Sequence, residues 1–268
     1  MSVAQAASPA GRGAAGRAAD ERFILLGRIV LMMALLLGWE LAGRFVDPTW
    51  ISMPSLIAVR LIRWAGDDLA VHAATTVAEM AMGLSIGVPA GVLAGILLGR
   101  SPLLATLLRP IIVGFYSVPL VTLAPLLILW FGLDMEPKIV LVAVIVFFLI
   151  FFNTFSGVQA IDRDLIATLA LMGASRREEF QKLILPAASA WILSGLKIAL
   201  PYALIAATVG EMIAARRGLG FLVTRSASQI DMTGLYAALI VLMLIGVAIG
   251  AGANALEAHI LRWRASGR

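Results

Sequence analysis

No cysteine occurs among the 268 residues, and histidine occurs only twice. The first absence excludes disulfides, thiolate metal sites and cysteine nucleophiles together. His72 and His259 lack the paired spacing of a zinc-binding helix and read as ordinary interfacial residues, so no metal and no cofactor is expected. Lysine is scarce as well. Lys138, Lys182 and Lys197 are not followed by Ser or Thr, which leaves no P-loop to cradle a nucleotide and no ATP hydrolysis by that route. Charged residues make up 14% of the chain, against about a quarter in an average soluble domain. That shortage excludes an ordinary water-soluble fold, and no catalytic set is read, so the chain is not expected to be an enzyme.

What fills the space is apolar: 61% of residues are hydrophobic and mean hydropathy is +0.97. Six apolar runs, at about 24–45, 76–98, 111–131, 138–158, 191–213 and 236–258, each approach the roughly 20 residues a bilayer-spanning helix needs. The expected fold class is all-α: a polytopic membrane protein with about six transmembrane helices. Residues 1–22 read as a disordered cytoplasmic tail and 23–71 as the first transmembrane helix with an external loop. The main transmembrane domain is 72–258, with a cytoplasmic loop at 161–186, and 259–268 form a second tail. Phe23 to Phe45 is too long for a signal-peptide core and is expected to stay as an anchor.

The formal charge of +5 comes mostly from arginines outside the apolar runs, so it reports orientation rather than nucleic-acid binding. Arg12, Arg17, Arg22 and Arg28 precede or open the first run. Arg100 and Arg109 lie between the second and third, Arg163, Arg176, Arg177 and Lys182 fill 161–186, and Arg262, Arg264 and Arg268 close the chain. Placing these segments on the cytoplasmic side puts both termini inside. The stretch Arg216 to Asp231, with three arginines on the outer side, runs against this rule.

Within the second run Gly83, Gly87, Gly91, Gly95 and Gly99 recur every fourth residue. They form a smooth stripe on one helix face for close packing against another backbone, with Pro89 bending the helix. Pro110, Pro119 and Pro125 break up the entry to the third run, so 101–118 is expected to form an interfacial helix. Polar side chains at membrane depth are costly unless they face protein or a water-filled path. Asn153, Tyr202, Thr208 and Glu211 are therefore candidates for a solute pathway, with Pro201 kinking the helix that carries the last three. Glu40, Glu79 and Lys197 lie near helix ends and are expected to meet headgroups or snorkel.

The polar interruption Ile161 to Pro186 is too ordered to be a connector. Leu165, Leu169 and Met172 have helical spacing, and Gly173 supplies a left-handed stop. Ser175 with Glu178 has the form of a capping box that opens a second helix, whose apolar stripe is Phe180, Leu183 and Ile184. Two short amphipathic helices at an angle make a plug that another protein can hold.

The run Gly173-Ala174-Ser175-Arg176, followed by Leu185-Pro186-Ala187-Ala188, resembles the coupling loop of bacterial ABC-importer permeases. The resemblance covers about residues 72–258, through Leu129-Trp130-Phe131-Gly132, Glu211-Met212 and Gly218-Leu219-Gly220-Phe221-Leu222, and points to the sulfonate, taurine and nitrate branch. Ala167, Thr168 and Leu169 stand where that family's Glu-Ala-Ala occurs, so the acidic residue of the motif is missing. The resemblance implies a type I ABC importer permease fold and a second permease chain, with a homodimer favoured. It also implies two cytoplasmic ATP-binding subunits and an extracytoplasmic substrate-binding protein, in a setting of membrane lipids and without nucleic acid. Gly173, Ala174, Ser175, Arg176, Arg177, Phe180, Leu183, Leu185 and Pro186 would then form the ATPase-coupling surface. The solute expected is a small sulfonate, taurine or nitrate-like anion, for which Ser117, Thr122, Tyr202 and Thr208 offer hydroxyls. Alternatives are a thiamine-precursor pyrimidine, riboflavin or an aromatic acid, and, from another class, a stand-alone ion-driven carrier.

Overall fold

A chain this apolar must satisfy its backbone hydrogen bonds within each segment, and it does so by forming helices. The computed structural model describes residues 14–46 and 50–260. The elements are α1 (Ala14–Phe45), α2 (Pro54–Gly66), α3 (Leu69–Gly99), α4 (Pro102–Ser117), α5 (Ala124–Phe131), α6 (Glu136–Gln159), α7 (Arg163–Leu171), α8 (Arg176–Glu179), α9 (Leu185–Ala214), α10 (Leu219–Ser228) and α11 (Met232–Ile260). α1 already begins at Ala14, inside the stretch read as a tail; residues 1–13, with Arg12, and 261–268, with Arg262, Arg264 and Arg268, lie outside the described residues.

Five helical stretches among the described residues are long and apolar enough to cross a membrane. The third expected run is the exception. α4 ends at Ser117, a 3₁₀ turn follows at Leu120–Leu123, and α5 is short. Proline is the cause: Pro119 precedes the 3₁₀ turn and Pro125 opens α5, and neither can donate a helical hydrogen bond. α4 also carries Pro110 within its length.

The core is the contact of α3 with α6 and of α6 with α9, where Leu141, Val142, Val146, Ile150, Ala199, Ala203 and Ala206 are fully buried. The glycine stripe of α3 lies on α6. A Cβ added at Gly83 would strike Val142, at Gly87 Val146, at Gly91 Ile150, at Gly95 Thr154 and at Gly99 Val158. The pairs advance together, so the two helices run in the same direction. Five α6 carbonyls, of Ile139, Ala143, Phe147, Phe151 and Phe155, lie within 2.6 to 3.4 Å of those added Cβ positions. Only a residue without Cβ permits such an approach, and it brings backbone Cα–H groups against carbonyl oxygens.

α1 is attached lightly. Trp39 meets Tyr236 edge-on, Gly43 accommodates Met53, and Glu40 accepts hydrogen bonds from the Ser55 backbone N–H and hydroxyl. The remaining apolar face of α1 is exposed. Lys197 pairs with Glu257 of α11 at 2.7 Å, rather than snorkelling alone.

Candidate functional site

The plug occupies one end of the bundle. Asp162 caps α7 by accepting from the Asp164 N–H. Gly173, at φ +79°, ends the helix: its N–H reaches the Ala170 carbonyl and the Ala174 N–H reaches that of Leu169, both at 3.0 Å. This is the Schellman pattern, which a side chain at Gly173 would strain. Ser175 then opens α8 with a complete capping box, its hydroxyl accepting from the Glu178 N–H while the Glu178 carboxylate accepts from the Ser175 N–H. Lys182 adds an ion pair to Glu178 at 2.9 Å.

The second plug helix does not stand apart from the fifth apolar run, as the sequence suggests. It continues through one π-turn at Phe180–Ile184 into α9, so Arg176–Ala214 is one 39-residue helical stretch. Leu185 donates to the Phe180 carbonyl, five residues back. The widened turn sits immediately before Pro186, whose ring would otherwise crowd the carbonyl four residues earlier. Phe180 packs inward with Ile161 against Ile96, Val158, Ile184 and Ala188. The outward apolar surface comes instead from the turn itself: Leu171 is 89% and Met172 78% exposed.

A second cluster lies at the opposite end of the bundle. His72, Thr76 and Glu79 fall on one face of α3 and are buried. Glu79 is fully enclosed and pairs with Lys138 of α6 at 2.5 Å, which corrects the reading of Glu79 as a headgroup contact. Glu211 of α9 is equally buried and accepts from the Thr76 hydroxyl and the Gly220 N–H, both at 2.7 Å. The Leu219 N–H donates to Thr76 Oγ1 at 2.9 Å, and the Gly218 N–H donates to His72 Nδ1 at 3.0 Å. His72 stacks on Phe221, so it is a buried acceptor and not an interfacial residue. Both glycines are required. Gly218 has φ +115°, and an added Cβ would collide with the Glu211 carboxylate; at Gly220 it would collide with the Thr208 carbonyl.

The cluster thus fastens α3, α6, α9 and the loop into α10 with ionic and charge-assisted bonds, which are strong where water is absent. Beside it opens a cavity of about 590 Å³ whose walls include Thr75, Asp134, Lys138, Arg216 and Arg217. Thr76, Lys138 and the two glycines were missed as partners in the sequence. The available signal was the 72, 76, 79 spacing on one helix face.

The four pathway candidates are not brought together. Asn153 donates to the Leu149 carbonyl and lies under Gly195, Thr208 donates to the Leu204 carbonyl, Tyr202 is half exposed on α9, and Glu211 belongs to the buried cluster. Gly83-Leu84-Ser85-Ile86-Gly87 has the spacing of a serine nucleophile elbow, a motif the sequence was expected to lack. It lies inside α3, with the Ser85 hydroxyl donating to the Met82 carbonyl, whereas the elbow needs a strand-to-helix turn. Among the described residues no group of three or more His, Asp or Glu side chains is placed to hold a metal.

Residues 87–262 match the model of the binding-protein-dependent transport system inner membrane component. The chain belongs to that family. It is 30% identical to the formylaminopyrimidine transport permease protein ThiX of Halalkalibacterium halodurans, over 88% of this chain and 94% of the relative. Identity to the riboflavin transport system permease protein RibX of Chloroflexus aurantiacus is 35%, over 90% and 91% of the two chains. It is 28% to the taurine transport system permease protein TauC of Escherichia coli, over 91% of each. In fold the chain is similar to a chain of the MetNI methionine ABC transporter in an inward-facing form, with a TM-score of 0.55 and 22% identity over 68% of this chain and 89% of that one. This protein is therefore a permease component of an ABC importer in the inner membrane.

Proposed function

We propose that two copies of this permease pair across the membrane, receive solute from an extracytoplasmic binding protein, and are driven by two cytoplasmic ATP-binding subunits that grip the plug. The observation that carries this reading is the apolar tip Leu171–Met172, exposed at the end of the plug and held by a glycine turn on one side and a capping box on the other. Apolar side chains so exposed beyond the bilayer mark a contact with a partner. Arg176 and Arg177 flank the tip on the same turn of chain and meet the partner's surface. ATP is hydrolysed by that partner, not by this chain.

The plug end faces the cytoplasm, together with both termini. Closure of the ATPases on nucleotide draws the plugs together, and the bundles rock between outward-open and inward-open states; the nucleotide drives this through its unequal affinity for the two. Asn153, Tyr202 and Thr208 are the residues proposed to meet solute, with Glu211 holding the outer loop in place. The solute is a small sulfonate, taurine or nitrate-like anion, a reading supported by the likeness to TauC. A second reading, a formylaminopyrimidine or riboflavin, is favoured by the likeness to ThiX and RibX.

The test is isolation of the tagged chain from its native membrane in mild detergent, as wild type, Gly173→Pro and Leu171→Asp. The wild type is expected to bring down an ATPase and a binding protein whose ligand gives the solute. Both variants should retain the second copy and lose the ATPase. Recovery of the chain without an ATPase, or of the ATPase with both variants undiminished, would overturn the coupling role.

A further inference from the structure

Beneath the plug lies a cavity of about 800 Å³, which the coupling reading touches only through Arg176 on its wall. Its walls divide by chemistry. Ala105 and Phe155 belong to a mainly apolar side formed by α4 and α6, which also carries the hydroxyls of Thr106 and Ser156, and Arg100, Gln159, Arg176 and Glu179 belong to a polar side at the ends of α3, α6 and the start of α8. The polar side coincides with the last residues of two membrane-crossing helices, α3 and α6, which is headgroup depth, and the apolar side runs inward from it.

The cations are only lightly engaged. Arg100 meets Glu179 through one contact at 3.5 Å and lies 5.9 Å over the Phe180 ring, while a guanidinium carries five donors. Arg176 is exposed, and among the described residues it has no ion-pair partner. Two arginines and one carboxylate among the residues lining the cavity leave positive charge in excess.

We propose that this cavity binds an acidic phospholipid from the cytoplasmic leaflet, its phosphate held by Arg100 and Arg176 and its acyl chain lying along Ala105 and Phe155. A soluble phosphate would satisfy the arginines alone; the apolar wall and the depth select the lipid. Basic pockets between helices on the cytoplasmic side recognise such headgroups, at roughly a fivefold gain per basic residue. The phosphate competes with Glu179 for Arg100, so occupancy frees the start of the plug's second helix from the end of α3. Lipid composition thereby tunes how stiffly the plug is tied to the bundle.

The experiment uses the complex isolated with its partners and placed in phosphatidylcholine nanodiscs doped with phosphatidylglycerol, with retained lipid counted by native mass spectrometry. Phosphatidylglycerol is expected to be retained over phosphatidylcholine. Its apparent affinity should fall roughly fivefold in Arg100→Gln or Arg176→Gln and roughly thirtyfold in the double variant, with partial recovery in Arg100→Lys. Arg216→Gln with Arg217→Gln, at the other end of the bundle, should leave retention unchanged. Equal retention in the Arg100/Arg176 double variant, or an equal fall in the Arg216/Arg217 control, would overturn the site. Full displacement of phosphatidylglycerol by inorganic phosphate would overturn the lipid as its ligand.

Discussion

Gly218 is a residue for which two independent constraints agree: a backbone at φ +115° that side chains rarely adopt, and a carboxylate where the Cβ would stand. Gly218→Ala should therefore cost about 2–4 kcal/mol, since neither the loop nor the buried Glu211 can yield without breaking hydrogen bonds. Gly250, with nothing within 4 Å, is the contrast: there Ala should be neutral or stabilising by up to ~1 kcal/mol through helix propensity. Thermal unfolding in detergent, followed by tryptophan fluorescence, measures both, and equal melting points would refute the argument. Glu79 and Lys138 form the second residue-scale case. Glu79→Gln removes the ion-pair partner of a buried ammonium and leaves it Glu211 as a nearby carboxylate; it should cost up to about 3–5 kcal/mol, whereas Glu79→Leu with Lys138→Met should recover part of the loss, because two apolar groups need no partner there. If the double variant is no better than Glu79→Gln, the pair has a role beyond mutual neutralisation.

Among the elements, α3 and α6 show what a sequence pattern can and cannot reveal. The every-fourth glycine is visible in the sequence, and it announces a close helix contact; the identity of the partner helix is not, because each apolar run offers a similar surface. Gly87→Ala and Gly91→Ala place a Cβ 2.6 to 2.7 Å from the carbonyls of Ala143 and Phe147. Each should cost about 1–3 kcal/mol, and trimming Val146 or Ile150 should not restore it, since the obstruction is backbone. Full rescue by Val146→Ala would show that side-chain crowding was the cause. The plug was legible for a related reason: its glycine stop and its capping box are local signals that need no tertiary contact. Its fusion with α9 was not legible, because Leu185-Pro186 reads as a break unless a π-turn absorbs the ring. The broken third run was legible only in part. Three prolines announce the interruption, but not whether one helix or two short pieces follow.

For the whole molecule, orientation is the property most directly open to measurement, and the absence of native cysteine leaves a blank background. Arg217→Cys and Lys182→Cys, both exposed and at opposite ends of the bundle, should differ in intact cells. A membrane-impermeant maleimide is expected to label the first at once and the second only after permeabilisation. The reverse order would invert the topology and with it the assignment of the plug to the cytoplasm. Glu79, Thr76, His72 and Glu211 could not be placed from sequence at this scale, since the depth of a residue in a bundle depends on which neighbours cover it. The position of Glu79 on the face of α3 that meets α6 has one further consequence. A ladder in which 83 meets 142, 87 meets 146 and 91 meets 150 looks the same after a slip of one rung, so repetition alone leaves the alignment of the two helices degenerate. Glu79 with Lys138 keeps the same separation and is the next rung outward. A slip of one rung would set Lys138 against Gly83 in one direction or Thr75 in the other and part it from Glu79, so this ion pair is the index mark that makes one alignment unique.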